Sequence, residues 1–257
     1  IPFTFSQTLS NSLTIAFIPK LIKLREDKNF ADARQLYESL FVLLLGLAFI
    51  GTLFCAAAYP LYSWLITDKF SPSINQFLQL LLYLTAPAAF FYTISNLWRE
   101  LLNAEGKFLE GSAVSIITPL LSIIFLVYSQ NTGVVALSVG LFVGGFIEMV
   151  ILGICLKSAG DFKIFPRFQF DTLEFSNIIK SWWRLFISNG LNNSVGLVDG
   201  VMAVRYLEAG GLAALSYGKK IVTLPMDIAT ISFSTVLIPH LSELAAKNDW
   251  VEFKKTL

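Results

Sequence analysis

Two adjacent lysines stand inside a long apolar stretch near the C-terminal end of the sequence. Lys219 and Lys220 precede Pro225 and Asp227 within residues 212–246. Ionisable groups inside membrane spans are costly and commonly mark functional sites. Neighbouring ammonium groups repel each other, and a bound anion would relieve that repulsion. We therefore expect Lys220, with Lys219 beside it, to contact an anionic substrate; the alternative is that the two lysines snorkel to the outer interface.

Two further residues in the same stretch can affect the charge and the helix geometry of this site. Asp227 follows Lys220 by seven residues, about two turns of helix, so it can balance the lysine charge or contact the substrate. Pro225 lacks an N–H donor and commonly bends a helix. The sequence predicts a hinge at Pro225, although static bundles contain such kinks as well.

A second polar pair lies in the preceding stretch, residues 176–205. Asn193 precedes Asp199 by six residues, nearly two helical turns, and we expect the two side chains on a similar face. Asn193 can hydrogen-bond a substrate or join neighbouring helices. Asp199 can form an ion pair with one of the two lysines across a helix interface.

The other charged candidates favour structural roles. Glu148 is expected to make an interhelical or interfacial contact rather than to carry protons. Four charged residues flank a turn and are expected to form a solvated helix end, with contact to a lipid headgroup as the alternative: Arg99, Glu100, Glu105 and Lys107.

Cysteine and histidine usage predicts no metal site and no disulfide. The single histidine, His240, has no Cys or His partner in the sequence, so it is interpreted as an interfacial residue after a proline. Cys55 and Cys155 lie inside apolar runs and are interpreted as small core residues.

The elements that must position these residues are membrane helices. The chain is 55% apolar and 14% charged with a mean hydropathy of +0.66, whereas a soluble domain carries roughly 25% charged residues. About 20 apolar residues suffice to span a bilayer as a helix. The predicted fold class is all-α, a polytopic membrane helical bundle. Its seven predicted spans are 1–24, 37–66, 74–102, 110–129, 133–157, 176–205 and 212–246.

The first predicted span is unusually polar. It contains the run "FTFSQTLSNSLTIAF", in which serine, threonine, asparagine and glutamine recur. Such side chains indicate a face turned toward protein or a wet cavity rather than toward lipid.

The basic residues are sorted to one side of these spans. Fifteen of the 19 lysines and arginines lie in alternate loops or the helix ends beside them, and cytoplasmic loops carry such an excess. The sequence therefore predicts that four loops are cytoplasmic: 25–36, 103–109, 158–175 and 247–257.

The sequence contains an internal repeat. Residues 17–36 and 237–256 align without a gap, with Ile-Pro-x-Leu in both copies, and both copies leave the membrane on the predicted cytoplasmic side. This is the pattern of parallel repeats in transporters. It predicts a two-lobed, truncated chain. Residues 1–157 form the second to sixth helices of an N-terminal lobe, 158–175 a cytoplasmic inter-lobe linker, and 176–257 the start of a C-terminal lobe, its first two helices.

Four segments carry a resemblance to a known family. They are "AFIPKL" (16–21), "LLNAEGKF" (101–108) followed by Pro119, "NSVGLVDGVMA" (193–203) and "LSYGKKIVTLP…STVLIPHLS" (215–242). Each motif alone is weak, but together and in this order they resemble the murein lipid II flippases (MurJ/MviN). This family belongs to the superfamily of multidrug, oligosaccharidyl-lipid and polysaccharide exporters.

The resemblance implies a two-lobed, flippase-type transporter in the bacterial cytoplasmic (inner) membrane. Such proteins move a polyprenyl-pyrophosphate-linked glycan precursor, lipid II above all, to the outer leaflet by alternating access in peptidoglycan biosynthesis. The resemblance implies coupling to membrane potential or to a sodium ion, with Asp199 at the position of a sodium-ligating aspartate. No other cofactor is expected. This chain departs from the family at Lys219 and Lys220, where Asp-Arg is usual, and near Phe5, where a basic pair is missing.

Other classes of function fit the sequence less well. A drug or organic-cation exporter would need an acidic cavity. A membrane enzyme for prenyl phosphates would need clustered acidic residues for Mg²⁺, and no P-loop is present for ATP hydrolysis. We therefore expect no enzyme activity. A flippase for another lipid-linked surface polysaccharide, or a non-transporting scaffold in a wall-synthesis complex, stays open.

Overall fold

The computed structural model describes residues 2–66, 71–129, 133–159, 173–207 and 210–246, with the backbone alone from 231 to 246. These residues contain no strand, so the predicted all-α class is confirmed. The helices are α1 (Pro2–Glu26), α2 (Phe30–Ala57), α3 (Tyr59–Ile66), α4 (Pro72–Ala104), α5 (Phe108–Val114), α6 (Ile117–Tyr128), α7 (Val134–Ala159), α8 (Leu173–Tyr206) and α9 (Gly211–Ala246).

Four segments of the described chain are long and apolar enough to cross a membrane, namely α2, α4, the stretch Phe108–Tyr128 that holds α5 and α6, and α7. The protein is therefore a multi-pass membrane protein. The other three predicted spans form α1, α8 and α9, which are 25, 34 and 36 residues long. These three helices are not among the four apolar segments. Helices α1 and α8 are more polar, and the side chains of α9 are described only in part.

Two of the predicted spans are broken by proline. The span 37–66 divides between α2 and α3, because an unbroken helix would press the Pro60 ring against the carbonyl of Ala56. The span 110–129 divides between α5 and α6 ahead of Pro119, which cannot donate to the Ser115 carbonyl. At this break Ile116 N donates to the Ala113 carbonyl at 3.2 Å, a tighter turn than α-helix.

The predicted loops are shorter than expected where the structure describes them. The loop 25–36 reduces to a turn between α1 and α2, because Asn29 caps α2 and accepts a hydrogen bond from Asp32 N at 3.5 Å. The loop 103–109 reduces to a turn in which Gly106 adopts φ +75°, a conformation that favours glycine. Residues 160–172 of the linker and the loop 247–257 lie outside the described residues.

The chain divides into two compact units, residues 1–198 and 199–257, with the boundary inside α8. The first unit contains one hydrophobic core to which α1, α2, α4, α7 and the first part of α8 contribute. Phe17, Tyr37 and Leu101 are fully buried at its centre. This division reflects which parts of the chain are compact and does not test the two lobes. The lobes 1–157 and 176–257 therefore stay a prediction.

Helices α6 and α7 approach each other through glycine. A Cβ on Gly140 would lie 2.6 Å from the Cα of Ser122, and one on Gly144 would lie 2.8 Å from the Cα of Thr118. Two glycines four residues apart form the small-residue face that lets membrane helices pack closely. This approach places Thr118 beside the α7 backbone.

The polar residues of α1 face protein. Ser10 and Ser12 are buried, and Asn96 Nδ2 of α4 donates to Ser10 Oγ at 2.9 Å and to Asn11 Oδ1 at 3.0 Å. The polar first span therefore turns toward neighbouring helices, one of the two surroundings that the sequence predicts. Cys55 is buried, as predicted for a small core residue, whereas Cys155 is only partly buried; both are free thiols.

Candidate functional site

The two lysines of the candidate site lie in the third turn of α9. Lys219 Nζ donates to Asp199 Oδ2 of α8 at 2.6 Å, and both side chains are about half-exposed. The structure therefore brings Asp199 and Lys219 together within the second unit. Of the roles that the sequence leaves open for Asp199, the ion pair is the one present in this structure.

Lys220 points elsewhere. Successive helical residues are rotated by about 100°, so Lys220 does not share the face on which Lys219 meets Asp199. Its side chain is exposed, and no carboxylate in the described part of the chain forms an ion pair with it. This ammonium group is available to an anionic ligand.

The remaining predictions on α9 concern Asp227 and Pro225. The helix continues through both residues, and seven residues of spacing place Asp227 on nearly the same face as Lys220. The side chain of Asp227 lies outside the described residues, as does that of His240. The hinge at Pro225 stays a prediction.

Asn193 joins two helices of the first unit. Its Nδ2 donates to Thr8 Oγ1 of α1 at 2.7 Å, at the edge of a cavity of about 260 Å³ that Phe5 and Phe186 also line. The contact corresponds to the helix-joining alternative for Asn193. The expectation that Asn193 and Asp199 share a face is wrong, because six residues turn a helix by about 600°, which leaves them roughly 120° apart.

A second asparagine on α8 repeats this contact. Asn189 Nδ2 donates to Ser12 Oγ at 3.0 Å, one turn before Asn193. Asn189 is not among the site residues predicted from the sequence. Its spacing of four residues from Asn193, opposite the same spacing of Thr8 and Ser12 on α1, is the signal that could have identified it.

A buried ion pair connects α4 to α7. Glu148 is 6% exposed, and its Oε1 accepts a hydrogen bond from Arg99 Nη2 while its Oε2 accepts one from Thr118 Oγ1 at 2.5 Å. The prediction of an interhelical contact for Glu148 is confirmed. The prediction of a solvated position for Arg99 is wrong, because its guanidinium turns into the bundle to meet this carboxylate.

A further ion pair lies at the turn after α4. Arg25 at the end of α1 pairs with Glu105, whose side chain is 19% exposed. The expected solvated position of Glu105 is therefore also wrong, because the end of α1 supplies a guanidinium partner. Lys107 pairs with Glu110 at 3.8 Å and stays half-exposed, as a helix-end residue does.

The charged groups near Asp199 do not fit a bound sodium ion in this conformation. One oxygen of Asp199 already accepts from the Lys219 ammonium, which would repel a cation. Within the described residues, no group of three or more His, Cys, Asp and Glu side chains comes together. In this structure Asp199 therefore forms an ion pair with Lys219, and its ion-coupling role stays a prediction.

Comparison with known proteins gives consistent matches along the chain. The family model for lipid II flippase MurJ matches residues 1–257. A probable lipid II flippase MurJ of Rickettsia prowazekii is 27% identical over 174 residues, covering 67% of this chain and 34% of the relative. The Haemophilus influenzae relative of that name is 26% identical over 239 residues, covering 88% of this chain and 46% of the relative.

A third relative, from Aquifex aeolicus, is 26% identical over 236 residues and carries the same name. The match covers 90% of this chain and 45% of that protein. The chain thus spans between about a third and a half of the length of the curated relatives that it matches.

Proposed function

Because the chain belongs to the lipid II flippase MurJ family, we propose that its protein moves a polyprenyl-pyrophosphate-linked glycan precursor across the membrane. Lipid II is the proposed substrate, and transfer runs from the cytoplasmic to the outer leaflet. The proposed location is the bacterial inner membrane, with the turns after α1 and α4 on the cytoplasmic side. The substrate and the surrounding membrane lipids are the proposed partners.

The observation that carries the proposal is the contrast between the two adjacent lysines. Lys219 is neutralised by Asp199, whereas Lys220 has no carboxylate partner in the described residues. A pyrophosphate brings negative charge that this free ammonium group can pair with. Lysine acts as a point charge rather than a bidentate fork, so the contact supplies attraction with little geometric selectivity.

The ion pair of Lys219 and Asp199 has a supporting role in this mechanism. It removes one of two neighbouring positive charges, which lowers the repulsion that Lys220 would otherwise feel. Lys220 is then the ammonium group that remains for the substrate. An ion-coupling role of Asp199 remains a separate proposal, because it requires Lys219 to leave the carboxylate first.

The transport step in this proposal is a rearrangement of lobes around a fixed headgroup site. The pyrophosphate is captured from the cytoplasmic side, the lobes rock, and the prenyl tail stays in lipid. Asp227, seven residues after Lys220, is proposed as a further substrate contact, and Pro225 between them is the proposed bending point. The N-terminal unit supplies the rigid body, because one core joins α1, α2, α4 and α7.

The experiment is complementation of cells depleted of their own lipid II flippase. The gene is expressed at full length as wild type, Lys220→Ala and, as a matched control, Lys180→Ala, an exposed lysine on α8. We expect rescue by wild type and Lys180→Ala, and loss of rescue with accumulation of inner-leaflet lipid II in Lys220→Ala.

Two results would contradict the proposal. Failure of a well-expressed wild type would move the substrate to another lipid-linked polysaccharide or leave a scaffold role in a wall-synthesis complex. Full rescue by Lys220→Ala would remove Lys220 from the transport path.

A further inference from the structure

Two hydrogen bonds join α8 to α1 inside the first unit. Asn189 Nδ2 donates to Ser12 Oγ at 3.0 Å, and Asn193 Nδ2 donates to Thr8 Oγ1 at 2.7 Å. We call these four residues the α1–α8 contact. Helix α1 lies in the predicted N-terminal lobe and most of α8 in the predicted C-terminal lobe, yet this stretch of α8 belongs to the same compact unit as α1. The contact therefore joins parts of the chain that move relative to each other in the proposed transport step.

Breaking the α1–α8 contact leaves the hydroxyl groups of α1 with their own donor bonds. Thr8 Oγ1 donates to the Thr4 carbonyl at 2.8 Å, and Ser12 Oγ donates to the Thr8 carbonyl at 2.6 Å. Both hydroxyls only accept from α8, so separation of the two helices leaves neither hydroxyl donor without a partner. Since a buried donor without a partner is costly, this arrangement lowers the cost of opening the contact.

The contact of α1 with α4 is built differently. Asn96 Nδ2 donates to both Ser10 Oγ and Asn11 Oδ1, and Asn96 is 7% exposed. The two asparagines of α8 are only half-buried. Asn96 thus belongs to a buried network inside one predicted lobe, whereas the α1–α8 contact lies at a partly open surface.

The α1–α8 contact is also loosely packed. A cavity of about 260 Å³ lies beside it, between α1, α2 and α8, and such a gap reduces the dispersion attraction between helices. The buried α8 residues of the core, Ile178 and Trp182, come before Asn189 along the helix. Residues 189–193 can therefore separate from α1 without exposing that core.

The contact lies toward the outer leaflet in the predicted topology. Thr8 and Ser12 lie 18 and 14 residues before Glu26, the end of α1, which corresponds to about 21–27 Å of helix. The hydrocarbon core of a bilayer is about 30 Å thick, and the turn after Glu26 is predicted to be cytoplasmic. The contact therefore joins the two helices in the outer half of the membrane.

We propose that the α1–α8 contact is a reversible closure on the outer side of the transport path. While Asn189 and Asn193 bond to α1, the two predicted lobes are held together on that side, and their release opens the path outward. The inference rests on the proposed function, because the transport cycle is what requires the lobes to separate. It assigns Asn189 and Asn193 a positioning role rather than contact with the substrate.

A reversible crosslink tests whether the contact must open. A Cβ on Gly190 would lie 3.9 Å from Thr8 Cγ2, and a disulfide needs Cβ atoms about 3.5–4.5 Å apart, so a small shift allows Thr8→Cys to pair with Gly190→Cys. The full-length protein, carrying no other cysteine, is reconstituted into liposomes with fluorescent lipid II. We expect oxidation to lower the flipping rate to that of protein-free liposomes, and reduction to restore it.

The matched control is a crosslink inside one predicted lobe. A Cβ on Gly145 of α7 would lie 3.7 Å from the Phe91 Cβ of α4, which suits a disulfide between Phe91→Cys and Gly145→Cys. We expect equal flipping rates for the oxidised and reduced forms of this pair, because α4 and α7 move together in the proposed cycle.

Alkylation of Gly190→Cys alone reports opening of the contact without any transport. A maleimide reaches this thiol faster once α8 leaves α1. We expect the added changes Asn189→Leu and Asn193→Leu to raise the alkylation rate in nanodiscs about three- to tenfold, the worth of two interhelical hydrogen bonds in a membrane. Asn96→Leu, which removes the bonds from α4 to α1, is expected to lower the melting temperature and to leave the alkylation rate unchanged.

Three results would overturn the inference. They are full flipping by the oxidised Thr8→Cys and Gly190→Cys pair, equal loss of flipping in both oxidised pairs, and an alkylation rate that is the same with and without the two asparagines of α8. Alkylation that responds to these asparagines in a protein that does not flip lipid II would support the closure and contradict only the proposed function.

Discussion

At the scale of single residues, the most costly arrangement is the buried pair of Arg99 and Glu148. Taking two charges out of water costs several kcal/mol per ion, which their attraction repays only with good geometry and added hydrogen bonds. Thr118 supplies one such bond to Glu148, and Asn96 Oδ1 accepts a longer one from Arg99 Nη1 at 3.4 Å. The pair is therefore expected to be strongly coupled.

A double-mutant cycle on Arg99 and Glu148 tests this coupling. We expect Arg99→Met and Glu148→Gln each to lower the free energy of unfolding by about 3–5 kcal/mol, because each single change leaves a buried group unpaired. The double variant should lose clearly less than the sum. Denaturant unfolding of the full-length protein in detergent measures all three.

The control for this cycle is the pair of Arg34 and Glu38 on α2, with 3.0 Å between Arg34 Nε and Glu38 Oε1. It is a more exposed i,i+4 pair, for which the coupling is expected at about 0.3–0.5 kcal/mol. Equal coupling in the two cycles would contradict the account of Arg99 and Glu148.

The same residues show what the sequence could and could not predict about the sites. Glu148 is identifiable from one position, because a carboxylate inside an apolar run needs a partner. Its partner Arg99 is not identifiable from the sequence. Arg99 lies 49 residues away, beside a turn that the sequence predicts to be solvated. Likewise, the adjacency of Lys219 and Lys220 is visible in the sequence, but which of them Asp199 neutralises depends on how α8 meets α9.

At the scale of helices, the close packing of α6 on α7 determines the position of Thr118. Gly144 leaves no room for a Cβ against the Thr118 backbone, and Thr118 in turn bonds to Glu148. The close approach of the two backbones therefore holds Thr118 in the position from which it donates to Glu148.

Gly144→Ala is expected to destabilise the protein by about 1–3 kcal/mol, because the added methyl group forces the two backbones apart. Gly46→Ala on α2 is the control, since a Cβ there meets nothing within 4 Å and alanine is the better helix former. Thermal unfolding of both variants in detergent compares them. A melting temperature for Gly144→Ala equal to or above that of Gly46→Ala would refute the packing argument.

Helix existence was predictable throughout the described chain, and helix ends were not. Apolar runs predict the helices because only a helix satisfies its own backbone in lipid. The breaks at Pro60 and Pro119 depend on ring clashes, and the early start of α2 at Phe30 depends on the Asn29 cap. An apolar run by itself does not predict such a break. The break becomes predictable only when each proline in the run is treated as a possible helix boundary.

At the scale of the whole molecule, the internal repeat and the sorting of basic residues make one topological prediction. The turn after α1 and the beginning of α4 should lie on opposite sides of the membrane. The first carries Lys28, whose side chain is exposed, and the second carries Ser73, also exposed. Both positions accept a cysteine without disturbing a core.

Lys28→Cys and Ser73→Cys, each in a background without Cys55 and Cys155, test this topology in intact cells. A membrane-impermeant maleimide should label Ser73→Cys in spheroplasts and Lys28→Cys only after permeabilisation, because Lys/Arg-rich loops stay in the cytoplasm. Labelling of both positions from the same side would invalidate the span assignment, and the reverse pattern would invert the predicted orientation.

The most direct measurement for the central claim is flipping in a purified system. The full-length protein is reconstituted into liposomes with fluorescent lipid II, and the fraction accessible from outside is followed over time for wild type and Lys220→Ala. We expect protein-dependent equilibration between leaflets by wild type and a rate lowered about tenfold or more in Lys220→Ala, because one charged contact to the pyrophosphate is lost. Equilibration no faster than in protein-free liposomes would contradict the flippase assignment, and equal rates for the two proteins would contradict the role of Lys220.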